Sequence, residues 1–496
     1  MPIRFTRPPL AALTAVAFAL PAAADITPDA LWQLWQQTGA QSGRSIAAAS
    51  TSHDGAALRL NGVTVTQTLK DAVFTAQIDR MILSPAADGA VAVSVAADQS
   101  VRFTAHDDTE DLAARFALSG SGLTIAVTGD LDAPEYAFAT DALTLDLQEL
   151  LSGGTPVPAQ AMLGVRDVSG TVDGTGSGTT TPLTARFSGA ETTSLLVYDD
   201  PVSGAALRTE STQADIDGTL TFDPGTGNGD PARGWSLAGQ VSGGAGQSTS
   251  RQTAAETGTV ETAIRQDRSA IQLAYDAERV SYDIDIAGVQ LALSSDQFPL
   301  PPMTFSLPEA SAAVSVPLAP AAGTQTARIA LTLKDLEVDD ALWAMADPGH
   351  ALPRTPAQLA LNVEADLLVQ DAPVLPGPLG TAPPPGLLPH AVRIRDLSLA
   401  LADATLNAAG GFTFETAAGS QVPDVNAPVG KLDLSGTGLV TLLQRLSAAG
   451  ILDPQQTMGA QMVLGMFATP GDGDSLTSQV VAEPGGALYV NGNRVR

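Results

Sequence analysis

The sequence predicts a mainly β fold: an elongated, curved or stacked antiparallel sheet with short capping helices near both ends. Three observations predict it. Apolar residues recur with a period of two along most of the chain. Glycine (47) and proline (34) punctuate those runs at short intervals. Aromatics make up 4% and charged residues 16% of 496 residues, so small and aliphatic side chains must build thin layers rather than one deep core.

The first element is an export signal, residues 1–24. Arg4 and Arg7 are the charges that precede Asp25, Leu10 to Leu20 is apolar, and Ala22 and Ala24 supply small residues for cleavage after Ala24. The apolar run is about 11 residues, too short for a hydrocarbon core of roughly 30 Å. It implies export to the periplasm of a Gram-negative bacterium. No later run reaches 18 apolar residues, so no stable membrane span is expected after cleavage.

Residues 25–40 form an N-terminal helix. Thr27 caps it, Pro28 fits the first turn, Asp29 suits the dipole, and Gly39 ends it. Leu31 and Trp35 share a face with Trp32 beside it, which fits a helix docked on the end of a sheet.

A first β-rich region covers 41–265. Leu58 and Leu60 precede Asn61-Gly62, and Val63 and Val65 follow, which predicts a hairpin with a type I′ turn. Alternation recurs at 91–95, 101–105, 111–128 and 140–148. From 155 to 260 the sequence predicts strands of four to six residues between Gly, Asp and Ser turns. The tract 239–258 reads as solvent-exposed or mobile.

A second β-rich region covers 266–372. Tyr282, Ile284 and Ile286 belong to one face, Asp283 and Asp285 to the other, and Leu291 and Leu293 continue in the next strand. Residues 298–310 hold four prolines and read as an interrupted edge or crossover. A short helix follows at Asp340–Met345, and 359–370 reads as a strand pair. Residues 373–389 are a Pro-rich linker or loop, either a domain boundary or an excursion within one sheet.

The last region, 390–496, is β with helices at about 438–449 and 454–467. Asp453-Pro454 opens the second helix. Met458, Met462 and Met466 read as core packing of one helix face, with a soft groove or metal site as the functional alternative. Gly485-Gly486 and Asn491-Gly492 are tight turns.

The two ends carry a resemblance. ADITPDALWQLWQQTG, after the signal, and MGAQMVLGMFATPGDGDSLTSQVVAEPGGALYVNGNRVR, at the finish, resemble alphaproteobacterial exported proteins of the DUF2125 family, whose function is unknown. That resemblance implies export and a long β-rich body, and it supplies no catalytic residues. The body is also similar in style to AsmA-like envelope proteins, which present elongated sheets to lipids, although cleavage after Ala24 would leave this chain without their N-terminal anchor.

Composition narrows the chemistry. The formal charge is −28, and removing residues 1–24 leaves 23 basic against 53 acidic side chains. That field repels nucleic acid, and no basic patch offsets it. Without cysteine there is no disulfide, thiolate nucleophile, Cys-ligated metal or lipoprotein acylation. His53, His106, His350 and His390 are too widely spaced for a metal pair. His106-Asp107-Asp108 is the best local cluster, and a solvated turn explains it. There is no G-x-S-x-G elbow, and Asp474-Ser475 lies in a Gly-rich loop. The acidic turns 223–230 and 471–474 follow neither calcium-loop pattern. No catalytic, metal or cofactor residue is assigned.

The expected function is therefore non-enzymatic: a periplasmic scaffold, or an apolar-ligand (lipid) binding protein of the envelope, with lipid or another envelope protein as partner. The alternative is a periplasmic hydrolase with a dispersed Ser/His/Asp site. A surface adhesion module would need repeats of near-constant length, and none is found.

Overall fold

The computed structural model describes residues 26–41, 43–69, 72–96, 98–106, 111–174, 182–200, 202–223, 235–254, 258–370, 386–416 and 423–496. Helix α1 (Pro28–Gln41) leads into β1 (Arg44–Asp54), β2 (Ala57–Leu69), β3 (Ala72–Pro85), β4 (Val91–Val95), β5 (Asp98–His106), β6 (Asp111–Ser121), β7 (Thr124–Asp130), β8 (Ala133–Ser152) and β9 (Thr155–Pro156). The middle holds β10 (Ala159–Asp173), β11 (Leu183–Asp199), β12 (Ala206–Asp223), β13 (Ser236–Gly243), β14 (Gly246–Ala254), β15 (Gly258–Gln266), β16 (Arg268–Tyr275), β17 (Arg279–Ser295) and β18 (Phe298–Pro317). Then come β19 (Gln325–Val338), α2 (Asp340–Ala346), β20 (Ala357–Val369), β21 (Leu387–Leu401), β22 (Ala404–Thr416) and β23 (Pro423–Thr437). The chain finishes with α3 (Leu439–Ala448), α4 (Pro454–Phe467), β24 (Thr469–Pro470), β25 (Ser475–Glu483), β26 (Ala487–Val490) and β27 (Asn493–Arg494).

The strands join one elongated antiparallel sheet whose path is an up-and-down meander. Some rows hold two collinear strands. β13 and β14 both pair with β12, along its second and first halves, and β16 and β15 pair with β17 along its first and second halves. β4 with β5, and β7 with β6, fill the rows between β3 and β8. At about 4.8 Å per strand, the rows from β1 to β25 span roughly 85 Å. In the described pairings β1 meets β2 and β27 meets β26, with nothing joining the two ends, so the sheet does not close into a barrel.

The middle of the chain departs from expectation. β10, β11 and β12 are 15, 17 and 18 residues long, not four to six. The tract expected to be exposed or mobile supplies β13 and β14, paired with β16 and β15. The proline-bearing segment is also no edge, because β18 pairs with β17 and β19. Residues 359–370 contribute to one strand, β20, which pairs directly with β21. Most of the Pro-rich segment lies outside the described residues, but 387–389 belong to β21.

Six Gly and Asp residues mark a seam along the middle of the sheet. Gly62, Gly122, Asp167, Asp215, Gly288 and Asp335 have φ of 60, 65, 50, 50, 67 and 57°. Gly and Asp tolerate this left-handed region better than most residues. Register aligns them across neighbouring rows. Asp167 faces Asp141 between the pairs Arg166↔Ala142 and Val168↔Thr140. Asp215 faces Ala190 between Gly189↔Ile216 and Glu191↔Ala214. Gly288 faces Pro308 between Ala287↔Glu309 and Val289↔Leu307. Pro308 thus falls where the ladder is already interrupted.

Across most of the seam neighbouring strands break together, so their register is the same on both sides. What changes is the phase of the pleat. In β17 the apolar residues are Tyr282, Ile284 and Ile286 before Gly288, then Leu291 and Leu293 after it. In β8 they are Tyr136 and Phe138 before the seam, then Leu143, Leu145 and Leu147. An unbroken strand would send the second set to the opposite face. The extra residue returns it to the first face.

Asn61-Gly62 corrects one expectation directly. The chain does not turn there. β2 runs straight through, the hairpin turn lies at Gly55, and Gly62 is the seam residue of its strand. Helix α1 likewise continues past Gly39 to Gln41, while Thr27 caps it as expected, its Oγ1 accepting from the Ala30 N–H at 3.2 Å.

Candidate functional site: the uncovered apolar face

The two faces of the sheet separate by chemistry. On one, cross-strand ion pairs recur: Arg166–Glu191 at 3.1 Å, Arg251–Glu261 at 3.1 Å, Lys334–Glu309 at 2.5 Å and Arg395–Glu364 at 2.7 Å. Each contributes little alone, being solvent-screened. The Lys334 ammonium holds the Glu309 carboxyl below its ordinary range. Asp283 and Asp285 belong to this face. On the other, register stacks apolar residues from strand to strand, as in Leu273↔Tyr282↔Val314↔Ile329↔Val363. From β10 to β20 the residues in register on that face carry no charge.

One end of the apolar face is covered. Leu31, Trp32 and Leu34 of α1 are buried against Leu58, Leu60, Val63, Met81, Leu83, Val91, Val93 and Val127. The Trp35 Nε1–H donates to the Tyr136 hydroxyl at 2.9 Å, and Gln36 Nε2 donates to the Ile46 carbonyl at 3.3 Å. Ile46 is on β1 and Tyr136 on β8, five rows on. Laid flat, those rows would span about 24 Å, and a helix with side chains is roughly 10–12 Å across. The sheet therefore curls around α1.

Beyond α1 the cover stops. Among the described residues, no apolar side chain between 141 and 316 is buried. Leu163, Leu196, Ile264, Ile271, Tyr282, Val314 and Ile329 all stand on the apolar face and are exposed, Leu163 at 50% and Ile329 at 53%. A well-covered sheet would bury them. Near the row ends, Trp235 packs against Phe222 and Tyr275, with centroids 5.9 and 4.4 Å apart. At the opposite margin, α2 is clamped by its cap. The Asp339 carboxylate accepts from Leu342 N–H and Thr304 N–H at 2.8 Å, and from the Thr304 hydroxyl at 2.9 Å. These bonds pull its pKa down to about 2. Arg354 lies 5.2 Å over the Trp343 ring and 2.8 Å from Asp340.

The residues weighed for chemistry do not converge. His53 Nε2 lies 3.0 Å from Asp29, at the exposed start of α1. The His350 N–H donates to the Asp347 carbonyl at 3.1 Å after α2. His390 is on β21, its buried Nε2 without a hydrogen-bond partner among the described residues. No described hydrogen bond joins a histidine to a serine. The His106-Asp107-Asp108 cluster and most of 223–230 lie outside the described residues. Asp474 of the other acidic turn accepts from the Thr441 N–H at 2.9 Å and so fastens the start of α3. No group of three or more potential metal-ligating side chains exists among the described residues. No described helix is long and apolar enough to cross a membrane.

The methionine stripe corrects another expectation. It is not core packing. Met458, Met462 and Met466 are exposed at 61, 61 and 64%. Nothing in the spacing separates a buried stripe from a bare one, because both repeat every four residues.

No family model matches the chain, and no curated protein matches it. The solved structure of the alcaligin outer membrane receptor FauA from Bordetella pertussis is similar at 11% identity, over 88% of this chain and 75% of that chain, with a TM-score of 0.22. A likeness at that score carries no argument about fold or function.

Proposed function

We propose that this protein is a non-enzymatic carrier or scaffold of the bacterial cell envelope, and that it holds apolar chains such as lipid acyl tails along the bare face of its sheet. The supporting observation is the uncharged face from β10 to β20, uncovered by any described helix, on which exposed aliphatic and aromatic side chains lie on either side of a hydroxyl patch of Thr209, Ser211, Ser248 and Ser250. Large apolar patches on a folded surface mark ligand or partner sites. Linear acyl chains suit a long face that offers apolar contact without a shaped polar pocket. The reading includes export through residues 1–24 and a periplasmic location, supported by the signal pattern, and kinship with the DUF2125 family, supported by the end segments.

Native mass spectrometry of protein purified from its own periplasm, with organic extraction of bound material, tests the proposal. Near-stoichiometric lipid is the expected result. An empty monomer, or a protein complex free of lipid, would overturn the carrier reading and leave a scaffold.

A further inference from the structure

The bare face of α4 stands apart from the sheet. This helix carries no charged residue, and its buried side is a narrow stripe centred on Thr457, with Ala460 and Leu464 partly covered. Met458, Met462 and Met466 point the opposite way, and Val463 beside them is 55% exposed. Gly459 and Gly465 flank the methionines, and a side chain at either would meet open space. The helix is preformed and fixed in place. Asp453 and Gln456 close a reciprocal capping box. The Phe467 carbonyl accepts from Ser478 Oγ at 2.6 Å and Asn491 Nδ2 at 3.0 Å, at the far end of the sheet from α1.

We propose that this face of α4 docks on a lipid surface of no net charge, seating the far end of the apolar sheet on a membrane. Charge favours that occupant. The segment 438–470 holds one Arg and one Asp, within a chain of formal charge −28. Arg445 faces Asp403 at 3.6 Å, and Asp453 is spent on the cap. Anionic headgroups and a second acidic copy would both meet the repulsion of the rest of the chain. The chemistry of the patch agrees. It lacks the Trp, Tyr and Arg anchors that dominate protein interfaces. Flexible methionines between glycines offer soft apolar contact that moulds to a fluid acyl layer. The proposal rests on the carrier reading for its purpose, since a carrier of acyl chains must meet the layer that supplies them.

Flotation of the full chain with phosphatidylcholine vesicles at physiological salt tests it, beside binding of a fluorescent fatty acid. The wild type should float with the vesicles. The double variant Met462→Glu, Met466→Glu should lose at least about tenfold in the bound fraction, because two carboxylates then replace the apolar groups that enter the acyl layer. Its circular dichroism and its fatty-acid binding should match the wild type, since both positions are exposed. A wild type that binds fatty acid but does not float overturns the docking and leaves the carrier reading standing. A wild type that floats without binding fatty acid does the reverse. A variant that floats like the wild type, or changes only the association of the chain with itself, overturns the docking.

Discussion

Beneath α1 the sheet hides its apolar face, and between β10 and β18 it leaves the same face bare. The strands are alike in both places: antiparallel, alternating, and interrupted at the seam. The difference is the partner. Leu31, Trp32 and Leu34 turn the first rows into a core in which Leu60 and Leu83 are fully buried. With no helix over the middle rows, Ile271 and Ile329 stay exposed. The pattern that folds a sheet therefore does not decide whether its face becomes core or surface. A covering element does, and in the middle of this molecule that element is absent from the described chain.

The sharpest way to break this comparison is one truncation in each region. Leu83→Ala beneath α1 should cost about 3 kcal/mol, as for a buried leucine that leaves a cavity. Ile329→Ala on the bare face should cost under about 1 kcal/mol, because its side chain is half in water. Denaturant midpoints measure both. Equal costs would mean that something covers the middle of the sheet after all.

The seam predicts the next largest effect. Gly288 has φ 67°, and a side chain there would run into the Asp267 carboxylate. Gly288→Ala should cost roughly 1–2 kcal/mol. Adding Asp267→Ala should return part of that loss and leave the backbone strain. Thermal melts of the two single variants and the double variant separate the terms, and strict additivity would remove the steric part of the account.

The smallest effect concerns the clamp on α2. Asp339→Ala should cost about 1 kcal/mol, the usual loss for a helix cap. Its pKa is lowered in the folded protein, so its contribution is fully present above its ordinary value near 4 and is lost as pH falls through about 2. Acid melts of wild type and variant should therefore converge toward pH 2 and stay apart at pH 6.

Much of the fold was legible from residues. Alternation at Tyr282, Ile284 and Ile286 placed a strand and its faces correctly, as did the caps at Thr27 and Asp453 and the turns at Gly485-Gly486 and Asn491-Gly492. The misreadings share one physical cause. A glycine or aspartate with positive φ is required at a hairpin turn and equally at a break within a strand. Local sequence does not distinguish them, because only the neighbouring strands show whether the ladder resumes. Asn61-Gly62, Asp215 and Gly288 were ambiguous for that reason, and so the long strands of the middle looked short. The bare face was less legible still. Alternation shows that one face is apolar, but burial depends on what lies across from it. For the same reason the exposed stripe of Met458, Met462 and Met466 matched a buried one.

The most direct test of the central claim is photo-crosslinking with a diazirine-bearing fatty acid, mapped by peptide mass spectrometry. The account predicts labels on the bare face between β10 and β20, at residues such as Leu163, Ile271 and Ile329, with the ion-paired face and the core under α1 unlabelled. Labels spread over both faces, or confined to the α1 core, would contradict it.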